Sequence, residues 1–234
     1  MRKSPTESKH RLLWVIVVFL ASIGVAAGVR RTIVLFNPSQ AVERNDVKGL
    51  DAPFARHRAL TLIHIVPGML FMILAPLQFV PRIRRQHRKF HRWAGRVVVG
   101  AGIIIGVTAL VMSFGTVIGG ANETAATVTF ALIFLFELVV AFIYIRRGNV
   151  ARHREWMIRA YAIALAIATI RPIIGAFFAA RRLSPHEFFG IAFWIGFTVH
   201  LIAAEVWLSH TRPGRPPEMH RLQTRFADQI SSSN

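Results

Sequence analysis

The sequence predicts an all-α integral membrane protein: a bundle of six transmembrane helices with both termini in the cytoplasm. Three observations carry that reading. Of 234 residues, 53% are hydrophobic and 17% charged, against about 25% charged in a soluble domain. The apolar residues fall into six runs, each able to cross a hydrocarbon core of about 30 Å at about 1.5 Å per helical residue. The charge, net +18, is concentrated in alternate connections, as orientation in a membrane requires.

Residues 1–11, MRKSPTESKHR, are polar and basic. The first span, 12–29, is an apolar run that continues toward Phe36. A basic start followed by small residues (Ala26, Ala27, Gly28) also resembles a signal peptide, but the apolar run is long for one and favours an uncleaved anchor. Residues 30–58 form the longest polar connection, with a turn signal at Asn37-Pro38-Ser39.

The second span, 59–80, contains no Asp, Glu, Lys or Arg. It carries His64 beside Pro67-Gly68 and runs into the basic loop 81–96. The rest of the chain is expected to pack around it. The third span, 97–121, is rich in glycine, and Gly102 and Gly106 make a GxxxG pair that permits close helix approach. The fourth span is 125–145. A second basic stretch, 146–159, leads to the fifth, 160–180, which contains Arg171-Pro172. The sixth is 188–208, and a polar, Pro-containing tail with the composition of a disordered segment follows.

With the N-terminus in the cytoplasm, the inner segments hold about 20 Lys and Arg and the outer segments about 8, which selects the N-in, C-in orientation. Three regions follow: 1–58 as tail, first span and outer loop; 59–208 as a five-helix core, with the second to fifth spans packed together; and 209–234 as a cytoplasmic tail. The expected location is a bacterial inner membrane.

The chain has no cysteine. Disulfides, thiolate-bound haem, Cys-ligated clusters and Cys-based zinc sites are therefore excluded. The basic residues sit between apolar runs rather than on one soluble face, which argues against nucleic acid as a partner. No nucleophile elbow, Walker motif or HExxH is present, so a hydrolase is not expected.

Ionisable groups within a span are costly, and so are functional candidates. Here they are His64, Glu137, Arg171, His200 and Glu205. The leading expectation is b-type haem-linked electron transfer. His64 and His200 are the only histidines inside spans and would ligate the iron, although His200 counts about one turn deeper. Arg171 would meet a propionate, and His91 and His153 would form a second pair at the cytoplasmic helix entrances.

A bland reading of the same residues stands beside it. His64 would bond a carbonyl freed by Pro67, His200 would pair with Glu137, and Arg171 with Glu137 would fix helix register. The alternatives for function are a small proton-coupled transporter and a non-catalytic structural or lipid-binding protein. In the first, Glu137 and His200 pass a proton and Arg171 holds an anionic substrate. In the second, the basic loops meet anionic lipid head groups or serve only as anchors. Glu137, Arg159, Arg96 and Glu205 are further candidates for a polar network.

HRWAGR (91–96) and HREWMIR (153–159) each open an outward-going span with His-Arg, a nearby Trp and a closing Arg. Together with HIVPGMLFMILAPLQF (64–79) and ARHREWMIRAYAIALAIATIRP (151–172), they resemble the signature of a family of bacterial predicted multi-pass membrane proteins of unknown function. The resemblance runs from about His57 to His200. It implies a helical membrane fold and picks out His64, His91, Arg96, His153, Trp156, Arg159 and Arg171, and it carries no activity. A looser likeness to the cytochrome b561 and ferric-reductase-like di-haem bundles implies haem b and a quinone or redox-protein partner.

Overall fold

A computed structural model describes residues 5–37, 50–180 and 183–211. The expected disorder of the C-terminal tail lies outside the described residues beyond 211. All described secondary structure is helical: α1 Pro5–Phe36, α2 Ala52–Arg56, α3 Arg58–Phe79, α4 Pro81–Gln86, α5 Arg88–Met112, α6 Gly120–Arg146, α7 Val150–Ala180 and α8 Pro185–Thr211. Six of them, α1, α3 and α5 to α8, are long and apolar enough to cross a membrane.

The helix ends follow local chemistry. Glu187 accepts the backbone N–H of Ser184 at 2.7 Å, half of a capping box that starts α8 in the sequence Ser-Pro-His-Glu. Asn149 Oδ1 accepts the N–H of Arg152 at 3.0 Å and caps α7. The third span needs correcting. Its helix is Arg88–Met112, not 97–121. Ser113 and Thr116 turn their hydroxyls back onto the carbonyls of Leu110 and Met112, at 2.7 and 2.9 Å. Gly120 at φ 59 then starts α6, a conformation that favours glycine. Apolar composition carried the expected span through this turn. At the other end, long Arg and Lys side chains can snorkel from a helix that begins inside the basic loop.

The outer surface is apolar, unlike that of a soluble bundle. Phe19, Phe136 and Val139 face outward, while Thr61, Glu123 and Glu137 are buried. That is the arrangement a hydrocarbon surround demands. Packing depends on small residues meeting large ones. A Cβ on Gly102 would stand 2.6 Å from Leu138 and 3.1 Å from Phe71, so α5 receives side chains from α6 and α3 there. Gly106 admits Leu135 in the same way. Phe71 is fully buried, edge-on to Phe134 at 5.8 Å and stacked on Tyr161 at 6.2 Å, which ties α3, α6 and α7 together.

Among the six spanning helices, α7 packs against four others, α1, α3, α6 and α8, and α3 against three, α1, α5 and α7, besides the short helices α2 and α4. The second span, α3, packs chiefly on α1 and α5, so it shares the organising role with α7. Alanines at 160, 166 and 168 let neighbours approach α7 closely.

Candidate functional site

The ends of α1, α5 and α7 and the starts of α3, α6 and α8 enclose a cavity of about 280 Å³, in the half of the bundle away from the basic loops. Its body is apolar, built from Met69, Met72, Phe130, Phe134 and Phe197. Its polar groups are few: Arg31, Thr61, His64, Ser113, Thr116, Glu123, Thr127 and Arg171.

His64 is fixed on the cavity wall. Thr108 gives its hydroxyl proton to the Ile104 carbonyl at 2.6 Å, so its oxygen accepts from His64 Nδ1–H at 2.9 Å. That assigns the tautomer and leaves Nε2 as a lone-pair acceptor. The carbonyl that Pro67 leaves without an N–H is not its partner, contrary to the bland reading. Glu123 accepts the N–H groups of Ile118 and Gly119, at 2.8 and 2.6 Å, and stitches the turn before α6 to the cavity rim.

The mouth is cationic. Asp51, 6% exposed, accepts Arg30 at 2.9 Å and is ion-paired with Arg31. The Arg31 guanidinium also lies 4.0 Å over the Phe54 ring. Arg171 stands in the field of Arg30 and Asp51. Its side chain is exposed, and it also lines the cavity. Three guanidiniums thus face two carboxylates, Asp51 and Glu123. Arg171 is not paired with Glu137, which sits in the opposite half.

The other candidates divide as follows. His200 Nδ1 donates to the Gly196 carbonyl at 3.0 Å, and Thr169 Oγ1 lies 3.4 Å from Nε2. His200 does not line the cavity and is not paired with Glu137. His64 lines the cavity and His200 does not, so the structure does not bring the two histidines together at one cavity. His91 and His153 come within electrostatic reach of each other near Arg84. His153 Nδ1 donates to the Ala141 carbonyl at 2.9 Å, and His91 Nδ1 is buried without a hydrogen bond. Arg159 and Glu205 form a bidentate pair with one arm at 3.0 Å, and Glu137 lies within its field. Arg96 is exposed and is not part of that group. Among the described residues, no cluster of three or more His, Cys, Asp or Glu could hold a metal ion.

Asp51, Thr108 and Thr169 are the partners that sequence reasoning missed. A Thr inside an apolar span was the available signal for the last two. Nothing distinguished Asp51 from its charged neighbours.

Residues 61–208 match the family described as "Predicted membrane protein (DUF2306)". The chain belongs to that family. The match covers most of the stretch on which the resemblance was read, including the HRWAGR and HREWMIR segments. No curated protein and no solved structure matches the chain. This DUF2306 protein is thus a six-span membrane protein, and the looser likeness to di-haem bundles finds no support.

Proposed function

We propose that the protein binds an amphipathic anion, apolar in body with a carboxylate or phosphate head, in the cavity away from the basic loops. The observation that carries this reading is the pairing of an apolar chamber with a cationic mouth at which Arg171 makes no hydrogen bond to another described residue. An arginine costs about 2.5–3.5 kcal/mol at the centre of a span and less toward its end, and an anionic head would offset the cost of Arg171 with charge-assisted hydrogen bonds. Inside, the His64 lone pair and the Thr hydroxyls offer orientation, while Phe and Met side chains take the apolar body.

This is the lipid-binding alternative of the sequence reading, moved from the basic loops to the far half of the bundle. Haem-linked electron transfer loses its leading support with the engagement of His200 by Thr169 and Gly196. The test is equilibrium binding of radiolabelled laurate to the nanodisc-embedded protein, with dodecanol as the neutral competitor. Saturable laurate binding that dodecanol displaces weakly supports the reading. Equal affinity for acid and alcohol, or no saturable site, refutes it.

A further inference from the structure

In the half of the bundle with the basic loops, a separate groove of about 560 Å³ opens between α6, α7 and α8. Its walls are apolar, with Phe136, Trp156 and Leu201 among them, and Glu137, Arg159 and Glu205 supply its polar atoms. Phe136 is 57% exposed on the outer surface of the bundle, so the groove faces the bilayer. Glu137 is 3% exposed, and its Oε2 has no hydrogen-bond partner.

The charges do not balance. Arg159 gives both its Nε and its Nη2 to the Glu205 carboxylate and lies 4.8 Å over the Trp156 ring. The charged groups that reach Glu137 are Arg159 from α7 and Glu205 from α8. One guanidinium therefore serves two carboxyls, and its hydrogen-bonding fork is occupied by the more exposed one. A buried carboxylate without a partner is neutralised rather than left charged. Taking up a proton leaves this trio with no net charge.

We propose that Glu137 is a bilayer-accessible, proton-carrying carboxyl, and that Arg159, by bonding Glu205 instead of Glu137, keeps that proton in place. The site is independent of the anion cavity, which lies in the other half of the bundle. It gives the protein a place where a proton can be held within the membrane and released when Arg159 changes partner.

Dicyclohexylcarbodiimide tests this directly. The reagent partitions into lipid, and a protonated carboxyl adds across its C=N bond to give an O-acylisourea, which rearranges to a stable N-acylurea. The full-length protein is treated in native membranes at neutral pH and the adduct mapped by peptide mass spectrometry. Glu137 should be labelled at least tenfold more than Glu205, and less as pH rises. Glu205→Gln frees Arg159 to bond Glu137, and should cut Glu137 labelling several-fold at the same pH. An unlabelled Glu137 in the unaltered chain overturns the proposal, and so does unchanged or increased Glu137 labelling in Glu205→Gln. The unaltered chain decides the first point without any variant having to fold.

Discussion

Replacing Arg171 with Gln removes the one cavity guanidinium that makes no hydrogen bond to another described residue, and leaves the apolar chamber in place. A hydrogen bond to a charged group contributes about 1.5–3 kcal/mol, which converts to about 10- to 150-fold in affinity. Laurate bound to the nanodisc-embedded Arg171→Gln variant should weaken by that factor. Dodecanol, with no charge to lose, should change by less than about threefold, because the Gln amide still offers its hydroxyl a neutral hydrogen bond. Arg171→Lys should fall between, because the ammonium keeps the charge but not the planar fork that grips a carboxylate through two N–H groups. The loss should also shrink at high salt if the mouth is open to water. The reasoning is refuted if acid and alcohol weaken equally, since Arg171 would then be supporting the chamber walls instead of reading the head group. Unchanged laurate binding with a normal unfolding temperature refutes it as well.

Other consequences can be checked separately. Gly106→Val should lower thermal stability in detergent by about 1–3 kcal/mol through overpacking, and Leu135→Ala in the same chain should recover a good part of it, because Leu135 fills the space at Gly106. Thr108→Val should cost about 1–3 kcal/mol by stranding His64 Nδ1–H, with Thr108→Ser close to the parent. The ¹⁵N shifts of His64 should report a protonated Nδ1 in the parent and an altered tautomer balance in Thr108→Val. Protein purified from haem-replete cells should show no b-type bands in a reduced-minus-oxidised spectrum. Near-stoichiometric bands that vanish in His200→Ala would restore the pair that Thr169 and Gly196 now engage.

The number of spans, their all-helical nature and the family were all legible in the chain, for a common physical reason. A bilayer core offers backbone groups no water, so a long apolar run has to satisfy its own hydrogen bonds as a helix. Run length alone therefore fixes the element. Composition was a poorer guide to boundaries. The Ser113–Gly119 turn is as apolar as a helix, and only Gly120 at φ 59 and the Glu123 carboxylate reveal that the chain turns there. The intramembrane ionisable residues were also legible, because each costs energy wherever it points.

Which of them meet was decided by tertiary structure. His64, Glu137, Arg171 and His200 sit at depths that allow several pairings, and depth along a helix says nothing of azimuth. Azimuth was set by side chains without charge. Leu138 and Leu135 entering the gaps at Gly102 and Gly106 orient α5 against α6, and the alanines of α7 admit its neighbours. The outcome sends His64 to Thr108, His200 to Thr169 and Arg159 to Glu205, and leaves Arg171 at a cavity and Glu137 in a groove. The sequence by itself determined that polar groups would be buried in a membrane bundle. Close packing of small against large residues determined their partners, since a lipid surround provides no hydrophobic force between helices and leaves shape to choose the interface.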